Sequence, residues 1–224
     1  MGYLLRTNWW KWVCVLLLFY TMIGGLLSPV PRLPILNETI RVLHFHVPMW
    51  FGMVLLFIGS LVYAIRYLKS QDKLFDIYSY QLASTGVAMG VFGVLSGMVW
   101  ANFTWGQAWV NDPKLNGSAI SLLIYLAYFI LRNSLNDEEL KIRISAVYNV
   151  FAFFLMVPLV FIIPRLSDSL HPGNGGNPGF NSYDLDSSLR KVFYFAVIGW
   201  ALLGYWMATI STRLSLIKRR YEDA

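Results

Sequence analysis

Apolar residues in this chain gather into six long runs, parted by polar connections that hold most of the charge and much of the proline. The runs lie near 9–27, 47–67, 80–100, 115–131, 144–163 and 192–212. A helix needs about 20 apolar residues to cross about 30 Å of hydrocarbon, and each run is that long or nearly so. Backbone groups in lipid must bond within their own segment, so each run predicts a helix. The pattern describes an all-α membrane protein, a six-transmembrane-helix bundle. No solenoid-type period interrupts it, and the chain reads as one transmembrane domain over 1–224.

Composition agrees with the pattern. Hydrophobic residues make up 57% of the 224 positions and charged residues only 13%, where a soluble domain carries about 25%. The net charge of +6 does not point to nucleic acid, because the basic residues cluster at the ends of the runs. There they set orientation against an anionic leaflet. Arg6, Lys11, Arg66, Lys69, Lys73, Arg132, Lys141, Arg143, Arg213, Lys218, Arg219 and Arg220 fall on the N-terminal side. Arg32, Arg41, Lys114, Arg165, Arg190 and Lys191 fall on the other. The richer side is expected to be cytoplasmic, with both termini inside and connections one, three and five facing out.

Other features narrow the chemistry. The single cysteine, Cys14, excludes an internal disulfide and reads as a small packing residue; no C-x-x-C-H haem-attachment motif occurs. Arg6 and Lys11 precede the first run as in a signal peptide. The run is long for a signal core, however, and Trp9, Trp10 and Trp12 read as interfacial anchors, so a retained first helix is expected. No charged residue lies well inside a run, which argues against an ion-coupled pump. No phosphate-loop motif is present. Gly86, Gly90, Gly93 and Gly97 recur at steps of four, three and four, a small-residue stripe suited to close helix packing.

The outward connections carry the candidate site. The first has His44 and His46, the third has Trp105, Trp109 and Asp112 close behind Trp100, and the fifth has His171. Trp105 and Trp109 stand four apart, so a short helix would place both indoles on one face. They read as a platform for a flat ligand or as an interfacial belt like Trp200 and Trp206. Asp112-Pro113 is a helix-start signal; the carboxylate is also placed to accept from a histidine or an indole. Imidazole is a good ligand for haem iron, and indoles flanked by imidazoles suit a planar metal-carrying ligand. The stretch 171–179, rich in Gly and Pro, is long enough to act as a flap.

Trp105-Gly106-x-x-Trp109-x-x-Asp112 resembles the W-G-x-x-W-x-W-D signature of the WWD family of haem-handling membrane proteins, within a segment spanning 100–113. Arg41-Val42-Leu43-His44-Phe45-His46-Val47-Pro48 is similar to the family's first histidine region, which ends in H-V-P. Length, span count and loop placement match its smallest branch, the CcmC type. One departure is Asn111, where the family has its last tryptophan.

The resemblance implies a haem-binding protein rather than an enzyme, in a bacterial cytoplasmic membrane. It implies non-covalent, transient haem b, with His46 and His171 as axial ligands and Trp100, Trp105, Trp109 and Asp112 contacting the porphyrin. The partners it implies are a periplasmic haem chaperone (CcmE), a CcmA/CcmB ATP-driven assembly and a small CcmD subunit. His44 competes with His46, but residues two apart on a helix point away from one another, and the H-V-P match favours His46. Arg32, Arg41, Lys114, Arg165 and Arg190 are equal candidates for the haem propionates. Two alternatives remain: a cytochrome b-type quinol-oxidising subunit, which would place histidines inside its helices, and a transporter carrying haem across the bilayer.

Overall fold

The computed structural model describes residues 7–32, 36–171, 180 and 185–222, and among them it contains helices and no strand. Six helices are long and apolar enough to cross a membrane, which makes this a multi-pass membrane protein. They are α1 (Trp9–Leu27), α2 (Leu43–Ser70), α3 (Lys73–Trp105), α4 (Pro113–Ser134), α5 (Glu138–Leu166) and α6 (Ser187–Glu222). A 3-10 turn over Asn37–Val42 leads into α2. Pro158, which has no amide hydrogen to give, opens a π-helical turn over Pro158–Ile162 within α5.

Helix α2 is central, packing along α3 and against α5 and α6, while α1 lies outside on α6. The main core joins Met53, Phe57, Leu82, Met89, Leu122, Tyr125 and Met156, with the Phe57 and Tyr125 rings stacked at 3.7 Å. The glycine stripe of α3 serves packing as expected. Gly86 meets Phe57, Gly90 meets Leu122, Gly93 meets Trp50 and Gly97 meets His46. Cys14 is fully buried, its thiol directed at the Gly199 carbonyl.

Three expectations need correcting. The helices outrun the apolar runs: α3 has 33 residues, about 50 Å at 1.5 Å per residue. Polar ends continue as helix once a buried stripe holds them. His44 and His46 consequently lie in the first turn of α2 rather than in a loop. Trp10 is not an anchor but is buried, its ring 5.6 Å from Tyr205 and edge-on to Trp206. Trp200 sits midway along α6, packed on the main core with its Nε1 buried and unpartnered, and not at an interface. Trp9 and Trp12 are exposed, as anchors would be.

The two ends of the bundle differ. At one, Gln71-Asp72 and the short turn before Glu138 join helices tightly, and Asp72 and Asp137 cap α3 and α5 by accepting from the amides of Leu74 and Leu140. At the other, connections one, three and five come together.

Candidate functional site

The site grows from the end of α3. Gly106 terminates that helix in the left-handed conformation (φ 74°), where a side chain would be strained, and its amide bonds the Asn102 carbonyl. Beyond it the chain is irregular up to Asp112. Trp105 and Trp109 therefore do not share a helix face: Trp105 closes α3, and Trp109 lies in the open connection with Nε1 donating to Asn116 Oδ1. Asn116 Nδ2 donates in turn to Asn111 Oδ1 at 2.8 Å. The residue that departs from the WWD pattern thus braces this connection against the first turn of α4.

Asp112 organises the end of the bundle. It caps α4, one oxygen accepting from the amides of Lys114 and Leu115. The same carboxylate accepts from Ser169 Oγ (2.9 Å), the Leu170 amide (2.7 Å) and His171 Nδ1 (3.1 Å). The two readings of this residue, cap and histidine partner, are both realised. Burial opposes its ionisation. The bonds from His171, Leu170 and Ser169 outweigh that, and hold the carboxyl well below the usual aspartate range. An ionised carboxylate only accepts, so Nδ1 of His171 carries a hydrogen, and in the neutral ring Nε2 is the nitrogen that holds the lone pair. The edge of Trp105 stands against the ring at 5.3 Å.

His46 is held by a different group to the same effect. Its Nδ1 lies 3.0 Å from Ser96 Oγ on α3. With the Ser96 hydroxyl hydrogen spent on the Phe92 or Gly93 carbonyl, its oxygen is placed to accept from His46 Nδ1–H, the neutral tautomer that holds its lone pair on Nε2; the ring also bonds the Gly93 backbone. Gly97 makes room, since a Cβ there would stand 2.6 Å from His46 Cε1. Trp100 and Trp50 flank the ring at 5.8 and 6.4 Å. The Trp100 indole also donates to Thr39 Oγ1, tying the first connection to α3. His46 lies within electrostatic reach of His171 and Lys114.

His44 points the other way, as expected for a residue two positions off. It is buried against Gly25 of α1, with Nδ1 unpartnered. Among the loop cations, Arg41 is committed to Glu38 and to the Gly25 and Ser28 carbonyls. Lys114 lies over the Phe180 ring. Phe180 itself stacks on Phe193 and meets Phe51, fastening the far part of the fifth connection. The flap expected over 171–179 falls, after His171, outside the described residues.

Sequence reasoning missed Ser96, Trp50, Thr39, Ser169 and Phe180. Trp50, one turn after His46, carried a readable signal; the others act through contacts between distant segments. The donor set fits a haem: two imidazoles, each with Nδ1 against an oxygen, lie at one end of the bundle beside indole rings.

Comparison with known proteins adds a family. The sequence model described as cytochrome C assembly protein matches residues 7–171, a stretch that holds His46, the tryptophans, Asp112 and His171. The cytochrome c biogenesis protein CcsA of Pelargonium hortorum is 35% identical over 113 residues, covering 50% of this chain and 35% of that protein. CcsA of Prochlorococcus marinus is 36% identical over 91 residues, covering 41% and 28%. A cytochrome c biosynthesis ccmC-like mitochondrial protein of Marchantia polymorpha is 23% identical over 135 residues, covering 60% and 56%. The chain spans about a third of the length of the CcsA relatives and just over half of the ccmC-like one.

Proposed function

The chain belongs to the cytochrome c assembly protein family, and from that premise we propose that it works in c-type cytochrome maturation as a haem-presenting protein of the CcmC type. Haem b is held non-covalently at the outer face of a bacterial cytoplasmic membrane and passed to a periplasmic haem chaperone of the CcmE type. CcmA/CcmB and CcmD-type subunits are its partners, and no covalent step falls to this chain. The excess of Lys and Arg on the opposite end supports a cytoplasmic placement of both termini.

One observation carries the reading: His46 and His171, at the same end of the bundle, each have Nδ1 against an oxygen, the arrangement that in a neutral ring reserves Nε2 for a ligand. Haem iron supplies the acceptor for the Nε2 lone pairs. The protein's residues do the rest. Ser96 and Asp112 fix the ring tautomers. Trp100 and Trp105 offer edges and faces to a porphyrin. Lys114, in the first turn of α4 and within electrostatic reach of His46, suits a propionate. The chain's three histidines supply no second imidazole pair deeper in the helices, as a cytochrome b-type subunit would use.

Haemin titration of the purified protein tests this. One haem per chain is expected, and His46→Ala or His171→Ala should change the absorption spectrum and block loading of the chaperone, while His44→Ala leaves both intact. Unchanged spectra in both ligand variants would reject the assignment. Closed vesicles holding this chain alone, given haem only inside, separate presentation from transport. Haem appearing outside would favour a transporter.

A further inference from the structure

The two imidazoles are not equivalent. His171 Nδ1 stands against a buried carboxylate, whereas the His46 ring stands against neutral oxygens, the Ser96 hydroxyl and the Gly93 carbonyl. A carboxylate on the far nitrogen pushes electron density toward Nε2 and raises its strength as a metal ligand. A serine hydroxyl whose own hydrogen is committed to the Phe92 and Gly93 carbonyls does this weakly. We propose that His171 is the anchoring ligand, made so by Asp112, and that His46 is the ligand released when haem is handed on. The proposal rests on the haem-binding reading above and adds the order in which the bonds break.

Mechanical intuition would favour the reverse order, since His171 is on a connection and His46 on a helix. The structure removes that objection. Asp112 holds three successive residues of the fifth connection, through Ser169 Oγ, the Leu170 amide and His171 Nδ1, and it is itself fixed as the cap of α4. The ring on the connection is therefore tied at its root. His46 is tied only to neutral oxygens of α3, the Ser96 hydroxyl and the Gly93 carbonyl, and otherwise sits among indoles and above Gly97.

In the exchange, the bond between iron and His46 Nε2 breaks and its electron pair stays on the nitrogen. A neutral nitrogen donor from the acceptor takes the vacated position with its own lone pair. No proton or electron changes hands, and the Nδ1–H bond to Ser96 persists. Asp112 is a positioning residue in this step, acting through His171 without touching the iron.

The experiment uses the full chain loaded with haemin, and imidazole as the incoming ligand. His46→Ala should keep its haem and regain a low-spin spectrum on addition of imidazole. His171→Ala should lose haem much more readily. Asp112→Asn keeps a good helix cap while removing the charge; it should weaken haem binding about 10–100-fold, and Ser96→Ala by less than about tenfold. Resonance Raman of the reduced His46→Ala protein isolates the His171 bond, and adding Asp112→Asn should move its iron–histidine stretch to lower frequency. A merely structural role for Asp112 would not shift that line. The order is overturned by an unmoved line, by equal losses in the two histidine variants, or by His171→Ala retaining haem better than His46→Ala. A wild-type protein that takes up no haem would instead remove the haem-binding reading itself.

Discussion

Asp76 and Asp112 are both carboxylates buried at an end of the same bundle, 5% and 2% exposed, yet they are satisfied by different means. Asp76, in the first turn of α3, receives the fork of Arg132 from the last turn of α4 at 2.6 and 2.8 Å, and the guanidinium lies over the Tyr80 ring. Both prongs of the guanidinium are spent on the carboxylate, and the pair is closed. Asp112 is satisfied by amides, a hydroxyl and one imidazole nitrogen, whose ring keeps its second nitrogen unspent. A guanidinium ends a network, whereas an imidazole hands it on. That difference separates the end of the bundle that aligns helices from the end equipped for chemistry.

The comparison can be broken by substitution. The largest effect is expected at the closed pair. Asp76→Ala strands Arg132 in a buried position, at a cost of about 3–5 kcal/mol, read as a lower unfolding midpoint in detergent. The haem spectrum of the protein that remains folded should be unchanged. Gly97→Ala comes next: a Cβ 2.6 Å from His46 Cε1 should cost about 1–3 kcal/mol and displace the ring, so the spectrum changes. Gly86→Ala is its control. It meets Phe57 at the same 2.6 Å and should destabilise without touching the spectrum. Asn111→Ala should be smallest, about 0.5–1.5 kcal/mol for one hydrogen bond, with Trp109 fluorescence shifting as its brace through Asn116 is lost.

Acid sharpens the contrast. A carboxyl whose folded pKa is lowered adds stability that is complete above its ordinary value, about 3.9, and is lost as pH falls below it toward the folded value. Asp112 is such a group. Its hold on Ser169, Leu170 and His171 should therefore persist at neutral and mildly acidic pH and weaken only in stronger acid, as followed by proteolysis of the fifth connection.

Much of this was legible in the sequence, for physical reasons. Apolar run length is a direct reading of the bilayer, so all six helices were visible, and the pairing of loops one, three and five followed from their number. The opposed directions of His44 and His46 followed from helical geometry. Helix ends were less legible, because polar residues such as those beside His44 continue a helix once tertiary contacts hold them. The Asp76–Arg132 pair, 56 positions apart, left no local trace. Nor did the tie between Ser96 and His46, 50 positions apart. Asp112 showed two possible roles, and nothing in a single sequence says that one carboxylate performs both. The indole platform was overestimated: Gly106 breaks the helix that would have aligned Trp105 with Trp109.

Low-temperature electron paramagnetic resonance of the ferric, haem-loaded protein addresses the central claim, that His46 and His171 grip one haem together. The wild type and His44→Ala should show a single low-spin signal of two imidazole ligands, and His46→Ala and His171→Ala should each convert it to high spin. A low-spin signal that survives intact in either ligand variant would contradict the account.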